Sequence, residues 1–256
     1  LPSASIPATA NLIRLEYPAA LALHCSAAAR QGHPASVAAA SGHPGASEAV
    51  IRSTAPRRAA HQGSRDMSDF LLYAQDGHVV TLTMNQPDKR NPLTGNTAVD
   101  EFVAALARID ADASVRVVIV TGAGSAFSAG GDIRTMQAQA APDVGPSRIR
   151  QDYRQGIQRL PLALFNLEVP VIAAVNGPAI GAGLDLACMC DLRIASETAK
   201  FAESFVRLGI IPGDGGAWLL PRVIGMARAA ELAFTAEMLD ARRACGHGVG
   251  SAGRAS

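Results

Sequence analysis

Two apolar runs, each followed by a glycine-rich turn, constrain the fold of this chain most strongly. The first is VVIVTGAGSAFSAGGDI at residues 117–133, and the second is VIAAVNGPAIGAGLDLA at residues 171–187. A continuous run of branched apolar residues is typical of a strand that is buried on both faces, as in a parallel sheet. The second turn leads into a short apolar helix at residues 184–189. The pattern predicts an α/β fold with a largely parallel sheet.

The rest of the orderly region, residues 67–240, agrees with this fold class because strand and helix patterns alternate along it. A turn at Asp76-Gly77 joins the first two strands. Helix patterns are recognised by apolar residues that recur on one helical face. The predicted strands are 70–73, 79–84, 115–121, 169–176 and 192–195, and the predicted helices are 96–109, 148–166 and 184–189.

Both ends of the chain lack this regularity. Residues 1–66 form a low-complexity extension rich in Ala, Ser, Pro, His and Gly, and we expect poor order there. A targeting peptide is one interpretation, and upstream sequence read through before Met67 is the one we favour. Residues 241–256 carry many glycines and little apolar spacing, so they predict an irregular tail that buries no helical face. A shifted reading frame or a premature end would explain this tail.

Composition narrows the classes of function. The net charge of +1 gives no basic field for nucleic acid. No apolar stretch reaches the roughly 18–20 residues of a membrane span. Cys188 and Cys190 are one residue apart in an apolar segment, which fits reduced core thiols better than a metal or redox site. No metal-ligand spacing is recognisable. A cytoplasmic location is expected, or an organellar matrix if residues 1–66 are a transit peptide.

The glycine turns also suggest chemistry. A turn that leaves a strand and opens a helix points free N–H groups outward at the positive helix end. Two such turns facing one another would offer two donors to one developing oxyanion. Two alternatives stay open. In one, the glycines only make tight joins between strand and helix. In the other, the first turn binds a dinucleotide, although Phe127 stands where the third glycine of GxGxxG belongs after Gly122 and Gly124.

Four segments in order resemble the enoyl-CoA hydratase/isomerase (crotonase) family, over about residues 67–240. They are NQPDKRNPLT at 85–94, SAFSAGGDI at 125–133, AAVNGPAIGAGLDLACMCDLRIAS at 173–196 and FAESFVRLGIIPGDGGAWLLPRVIG at 201–225. The resemblance implies the crotonase fold, related to ClpP, of repeated ββα units with mostly parallel sheets. It also implies that the family's C-terminal helical layer is largely missing here.

The resemblance assigns roles by position. It implies that the N–H groups of Gly131 and Ala182 bind the thioester oxygen. Lys89 and Arg90 fall where family members contact the phosphate or ribose of CoA, although without the family they would be a solvated turn. The full set of positions implied to bind substrate or CoA is Lys89, Arg90, Ala129, Gly130, Asp132, Ile133 and Gly181.

The acidic residues depart from the family pattern. Of the two glutamates that activate water in family hydratases, the first is Asp185 here and the second is replaced by Phe205. A helix N-terminal carboxylate is the structural alternative for Asp185. Glu203 and Asp214 are the candidate substitutes for the second acid. On a regular strand, Glu203 would share a face with Phe205, about 6–7 Å away.

The resemblance therefore implies an enzyme that stabilises the enolate of an unsaturated acyl-CoA thioester. The expected reaction is reversible hydration of a 2-enoyl-CoA to a 3-hydroxyacyl-CoA. The alternatives are a double-bond isomerase of enoyl- or dienoyl-CoA, and an inactive CoA-binding protein. No cofactor is implied, since CoA is part of the substrate. The expected partners are the acyl-CoA substrate and further copies of the chain, in a homotrimer or a dimer of trimers, without nucleic acid or membrane.

Overall fold

The computed structural model describes residues 70–139 and 144–252. The chain divides into two units, Leu1–Gly63 and Ser64–Ser256, and every described residue belongs to the second. The predicted low-complexity extension, residues 1–66, lies outside the described residues.

Strands and helices alternate through the described chain, as the apolar patterns predict. The strands are β1 Leu71–Asp76, β2 Val79–Met84, β3 Val117–Gly122, β4 Val171–Val175, β5 Ala179–Ile180, β6 Leu192–Ala195, β7 Lys200–Ala202, β8 Leu239–Asp240 and β9 Ser251–Ala252. The α-helices are α1 Ala98–Asp110, α2 Ile133–Gln139, α3 Pro146–Gln155, α4 Arg159–Phe165, α5 Ala182–Met189, α6 Gly216–Ile224, α7 Met226–Thr235 and α8 Ala241–His247. Short 3-10 helices cover Pro87–Lys89 and Phe205–Leu208.

Two sheets organise these elements. The larger sheet has the strand order β1-β2-β3-β4-β6-β9, and the smaller has the order β5-β7-β8. In the larger sheet β1 runs antiparallel to β2, and every later pairing is parallel. The prediction of an α/β fold with a largely parallel sheet is confirmed.

The glycine turns leave the same edge of the larger sheet, because β3 and β4 are parallel neighbours with Val118 paired to Val171. Along both strands, fully buried side chains alternate with partly buried ones. Helix α5, which follows the second turn, is buried on nearly every face. A helix that is apolar all round is found inside a protein core, and this burial holds the start of α5 firmly against the sheet edge.

The prediction of one helix over residues 148–166 is wrong. Gly156 takes φ −102° and ψ −117°, outside the helical region, and its N–H donates to the carbonyl of Asp152. The helix therefore ends there, and a second helix begins at Arg159. A Cβ atom on Gly156 would lie only 2.7 Å from the Asp152 carbonyl oxygen, so a residue with a side chain would force a shift at this helix end. Leu160 and Leu164 of α4 are buried, whereas α3 buries no residue.

The prediction of an irregular tail over residues 241–256 is also wrong for its described part. The Asp240 side chain accepts a hydrogen bond from the N–H of Arg243 at 2.8 Å and caps helix α8. Ala241 and Ala244 are buried, because small side chains let the helix pack closely without a large apolar face. The backbone of β9 then adds to the larger sheet beside β6. Residues 253–256 lie outside the described residues.

The core thiols agree with the sequence analysis. Cys188 and Cys190 are buried and form no disulfide. Burial raises the pKa of Cys188 to about 12 and raises that of Cys190 as well. Both side chains stay protonated and act as small apolar groups. In the part of the chain that the structure describes, no helix has the length and apolar character to cross a bilayer.

Candidate active site

The two glycine turns lie against each other. The N–H of Ser128 donates to the carbonyl of Pro178 at 3.1 Å, and the N–H of Ile180 donates to the carbonyl of Ser128 at 3.0 Å. A Cβ atom on Gly183 would overlap the carbonyl oxygen of Ser128. The backbones approach so closely that only glycine fits at this position.

Gly130 brings the two predicted oxyanion donors together. Its φ is +86°, and a Cβ atom on it would overlap the carbonyl oxygen of Ile180 and lie 3.2 Å from the amide nitrogen of Ala182. Gly131 is the next residue, so its backbone adjoins the start of α5. Among the hydrogen bonds of residues 70–139 and 144–252, none uses the N–H of Gly131 or Ala182. Two amides beside the positive end of a helix can bind an anionic oxygen.

Asn91 holds the first turn in place. It is fully buried, has φ +55°, and its side-chain amide donates to the carbonyls of Ala126 and Phe127 at 3.0 and 3.2 Å. Its Oδ1 atom accepts from the N–H of Gln86 at 2.9 Å. The Ser128 hydroxyl donates to the Asn91 carbonyl at 2.7 Å. A buried side-chain amide with these partners fixes a loop that lacks regular hydrogen bonds.

Asn176 plays the same part between β3 and β4. Its Oδ1 atom accepts from the N–H of Gly122 at 3.2 Å, and its Nδ2 atom donates to the carbonyl of Gly124 at 3.1 Å. The sequence analysis missed Asn91, Asn176 and Ser128. For Asn176 the signal was available, since an amide side chain directly after a buried strand is suited to satisfying the backbone of the following turn.

Three carboxyl groups meet in the interior, although each comes from a different element. Asp185 lies in the first turn of α5, Glu203 follows β7, and Asp214 precedes α6. They are 0%, 1% and 2% exposed. A Cβ atom on Gly216 would overlap the Asp185 carboxylate, so the start of α6 closes over it. Within the described chain, no group donates a hydrogen bond to any of the six carboxyl oxygens.

Burial and mutual repulsion keep protons on this cluster. Burial raises the pKa of Asp185 well above its ordinary value, and the charges of Asp214 and Glu203 raise it further. Burial and the charge of Asp214 raise the pKa of Glu203 to about 8. Burial also raises the pKa of Asp214, although the neighbouring Asp185 carboxyl group opposes this rise. A proton shared between two carboxyl groups supplies the donor that ionised groups lack. No group of three or more metal-ligating side chains in the described ranges has the arrangement to hold a metal ion.

The expectation that Glu203 and Phe205 share the face of one strand is wrong. Strand β7 ends at Ala202, and Phe205 begins a 3-10 helix. Only two residues, Glu203 and Ser204, separate the end of β7 from this 3-10 helix, so the two positions are not on one regular strand. Glu203 consequently points into the carboxyl cluster, and Phe205 lines a cavity next to it.

That cavity has a volume of about 220 Å³, and its lining includes Thr94, Met136, Phe205 and Asp214. Gly131 and Ala182 are not among its described lining residues, but a Cβ atom on Gly131 would contact Thr94 and Met136, so the cavity lies beside the first glycine turn. Of the three clustered carboxyl groups, Asp214 lines this cavity, and the described lining includes neither Asp185 nor Glu203.

The predicted CoA-binding positions border the first glycine turn. Lys89 and Arg90 are exposed, and the Arg90 carbonyl accepts a hydrogen bond from the N–H of Ala129 at 2.8 Å. Ile133 is exposed as well. The Asp132 carboxylate accepts from the N–H of Arg134 at 2.8 Å at the start of α2, so it acts as a helix cap here. Gly181 has φ +53° and immediately precedes α5.

Comparison with known proteins adds independent information. Residues 74–252 match the sequence model of the family described as enoyl-CoA hydratase/isomerase. A probable enoyl-CoA hydratase of Mycobacterium tuberculosis, EchA14, is 38% identical over 181 residues, which are 71% of this chain and 68% of that protein. The 1,2-epoxyphenylacetyl-CoA isomerase of Escherichia coli is 40% identical over 185 residues, covering 70% and 67% of the two chains.

Solved structures show the same likeness. The enoyl-CoA hydratase of Bacillus anthracis superposes with a TM-score of 0.66 at 34% identity, covering 73% of this chain and 70% of that one. DspI of Pseudomonas aeruginosa superposes with a TM-score of 0.67 at 28% identity, covering 76% and 72%. The family match includes α8 and β9, beyond the boundary of residue 240 drawn from the sequence.

Proposed function

Because this chain belongs to the enoyl-CoA hydratase/isomerase family, we propose that it binds an unsaturated acyl-CoA thioester and shifts its double bond through an enolate. Enzymatic activity of the hydratase/isomerase type follows from the family and its relatives. The finer choice of isomerisation rests on one observation. Asp214 lines the cavity beside Gly131, and an apolar ring, Phe205, lies where a second acid would be needed.

The thioester oxygen would bind between the two glycine turns. The N–H groups of Gly131 and Ala182 make no hydrogen bond within the described chain and lie on adjoining backbones, and Ala182 begins the buried helix α5. When a proton leaves the carbon next to the thioester, negative charge collects on this oxygen. Each backbone donor that meets the charge lowers the barrier by roughly 2.7–4 kcal/mol.

Asp214 would carry the proton. Its carboxylate removes a proton from C2 of a 3-enoyl thioester, and the electron pair moves through the carbonyl carbon onto the oxygen. The same carboxyl group then returns the proton to C4, which leaves the double bond between C2 and C3. One group performs both transfers, so no water is consumed. Burial would hold the pKa of Asp214 above its ordinary value, which favours return of the proton to the substrate.

The CoA part of the substrate would lie along the outer edge of the first turn. Lys89 and Arg90 are exposed cations beside that turn, suited to phosphate. Ala129, Gly130, Asp132, Ile133 and Gly181 would border the CoA and the thioester as the resemblance implies. No separate cofactor enters the proposed reaction. The homotrimer and the cytoplasmic location stay predictions.

Hydration of a 2-enoyl-CoA is the second candidate. It is favoured by the contact between Asp185 and Asp214, since hydration needs two groups that together hold and activate a water molecule. The reactions differ in what they consume, because hydration adds water across the double bond and isomerisation adds nothing.

The test compares two substrates with the purified full chain. With trans-3-hexenoyl-CoA, isomerisation produces the absorbance of a conjugated 2-enoyl thioester, whereas with trans-2-hexenoyl-CoA hydration removes it. We expect absorbance to rise with trans-3-hexenoyl-CoA at least about tenfold faster than it falls with trans-2-hexenoyl-CoA. If the fall is faster than the rise, hydration replaces isomerisation as the proposed reaction. Binding of CoA thioesters without turnover of either substrate would show a non-catalytic binding protein.

A further inference from the structure

Tyr153 is a polar side chain of the cavity beside the first glycine turn, and the proposed reaction does not use it. It lies on helix α3, it is partly buried, and it lines the cavity together with Asp214. The apolar residues in the lining of the same cavity are Leu93, Val99, Met136, Ile157 and Phe205. A tyrosine hydroxyl can donate one hydrogen bond, so it offers a directed contact to a molecule bound among these side chains.

The backbone of Gly213 fixes the place of the Tyr153 ring. A Cβ atom on Gly213 would lie 2.8 Å from Cε1 and 3.1 Å from Cδ1 of the ring, so the ring packs directly against this glycine. The side chain of Gln158 in turn holds the Gly213 carbonyl with a hydrogen bond of 2.7 Å. Since Asp214 is the next residue, the tyrosine ring and the proposed proton carrier belong to one short, restrained stretch of the cavity wall.

The Tyr153 hydroxyl has no hydrogen-bond partner within residues 70–139 and 144–252. The Tyr73 hydroxyl, in contrast, donates to Oε1 of Gln75 at 3.2 Å. Burial raises the pKa of Tyr153, and the charge of Asp214 raises it further. The hydroxyl therefore keeps its proton and remains a donor without an acceptor in the described chain.

An acyl chain that enters the cavity would take water away from this hydroxyl. A polar group that loses water without gaining a hydrogen bond is unfavourable, so the missing acceptor has to come from the ligand. Because Asp214 is proposed to exchange protons with C2 and C4 of the acyl chain, the tyrosine beside it adjoins the same stretch of that chain. An oxygen attached at C4 would supply the acceptor there.

We infer that Tyr153 determines substrate specificity by donating a hydrogen bond to an oxygen at C4 of the acyl chain, so that oxygen-bearing acyl thioesters are favoured over plain hydrocarbon ones. The inference rests on the proposed function, because the acyl chain reaches Tyr153 only if the thioester binds at Gly131 and Ala182. The shared chemistry of the ligand is an oxygen that accepts a hydrogen bond. A hydroxyl and a carbonyl group both have this chemistry, and the experiment separates them.

The test measures binding of saturated thioesters, so that it does not depend on turnover. Pentanoyl-CoA, 4-hydroxypentanoyl-CoA and 4-oxopentanoyl-CoA differ only at C4, and each is titrated into the full chain by calorimetry. We expect at least one oxygen-bearing ligand to bind about tenfold or more tightly than pentanoyl-CoA. In an apolar cavity without a donor the order would be reversed, because the oxygen is better solvated in water. The ratio of the two oxygen-bearing ligands tells whether a hydroxyl or a carbonyl group is preferred.

A matched pair of tyrosine variants assigns the effect to one hydroxyl. Tyr153→Phe removes the hydroxyl in the cavity and keeps the ring against Gly213, whereas Tyr73→Phe removes the hydroxyl that is bound to Gln75 on β1, outside the cavity's lining. We expect Tyr153→Phe to weaken the preferred ligand about tenfold and to leave pentanoyl-CoA unchanged. Tyr73→Phe should change none of the three. Loss of a merely structural contact would weaken all three ligands alike, so the selective loss identifies the hydrogen bond.

Two outcomes would overturn the inference. One is that pentanoyl-CoA binds the unmodified protein as tightly as both oxygen-bearing ligands, and the other is that the two phenylalanine substitutions have equal effects. Isomerisation of trans-3-hexenoyl-CoA would be unaffected by either result. Failure of the proposed function has a different signature, because the preference for oxygen and its loss in Tyr153→Phe then persist while no enoyl-CoA is turned over.

Discussion

The two halves of the site are built from different parts of the chain. The half that contains Gly131 and Ala182 consists of backbone, packed so tightly that a single Cβ atom on Gly130 or Gly183 would overlap a carbonyl oxygen. The half that contains Asp185, Glu203 and Asp214 consists of side chains, and no group of the described chain donates to their oxygens. Shape is therefore fixed in the first half, and reactivity resides in the second.

This difference has an energetic basis. In the backbone half, Asn91, Ser128 and Asn176 form hydrogen bonds with the backbone of the turns, and these bonds contribute to stability. Buried carboxyl groups destabilise a fold unless they keep protons or find donors. Such unfavourable burial is concentrated at functional sites, because it shifts pKa values toward neutrality, where proton transfer in both directions is fast.

The largest effect should come from the backbone half, in Gly130→Ala. The new Cβ atom overlaps the Ile180 carbonyl and requires φ near +86°, which alanine avoids. Both donors would shift, so kcat/KM should fall by about 10⁴-fold or more. Gly209→Ala is the control, because Gly209 has φ +67° but open space around its Cα. It should cost about 1–2 kcal/mol of stability and little activity. Equal losses in the two variants would show that strain alone matters.

In the carboxyl half, Asp214→Asn tests the identity of the proton carrier. The amide keeps the size of the side chain and cannot accept the proton, so we expect kcat to fall by about 10²–10⁴-fold with KM nearly unchanged. Steady-state kinetics with a 3-enoyl-CoA gives both constants. Asp185→Asn, behind it in the cluster, should lower kcat less. A larger effect at Asp185 would transfer the proton-carrying role to that residue.

The cluster should also make stability depend on pH. The pKa of Glu203 is raised from 4.5 to about 8 in the folded chain, so between these values the folded state binds more protons than the unfolded state. Stability contributed by this group is complete below pH 4.5 and is lost as pH rises through 8.

Glu203→Gln cannot titrate, and it should therefore flatten this slope. We expect the variant to be more stable than the unmodified protein at pH 9 by roughly 2–4 kcal/mol, and similar to it at pH 4. Urea unfolding at the two pH values measures the difference. A variant that is destabilised equally at both would mean that Glu203 is held by contacts other than those of the cluster.

The sequence predicted the backbone half better than the carboxyl half. Apolar runs and glycine turns leave a direct signal, because a buried parallel strand and a close backbone approach each restrict the residue type. The contact between the turns around Ser128 and Ile180 agrees with the expectation that they face one another. Asp185, Glu203 and Asp214 could be named as candidates, but their meeting depends on three elements that are distant in sequence.

Three other features of the fold could not be predicted from the sequence, because each depends on contacts between distant elements. The break at Gly156 follows from a backbone conformation that glycine permits but does not require. Helix α8 has alanines in place of a large apolar face, so its burial depends on neighbours that local spacing does not reveal. The cavity that Tyr153 and Asp214 line is bounded by residues from several elements that are distant in sequence. In each case tertiary contacts decide among local alternatives of similar energy.

The smallest effect should come from Gln158→Met. The Nε2 atom of Gln158 donates a hydrogen bond to the Gly213 carbonyl at 2.7 Å and so holds the loop that carries Asp214. Loss of this bond should cost about 1 kcal/mol of stability. It should lower kcat about tenfold through misplacement of the carboxyl group, with KM unchanged. Gln151→Met, on the exposed surface of α3, is the matched control and should alter neither. If kcat is unaffected in Gln158→Met, packing alone positions Asp214, and the carboxyl half is as rigid as the backbone half.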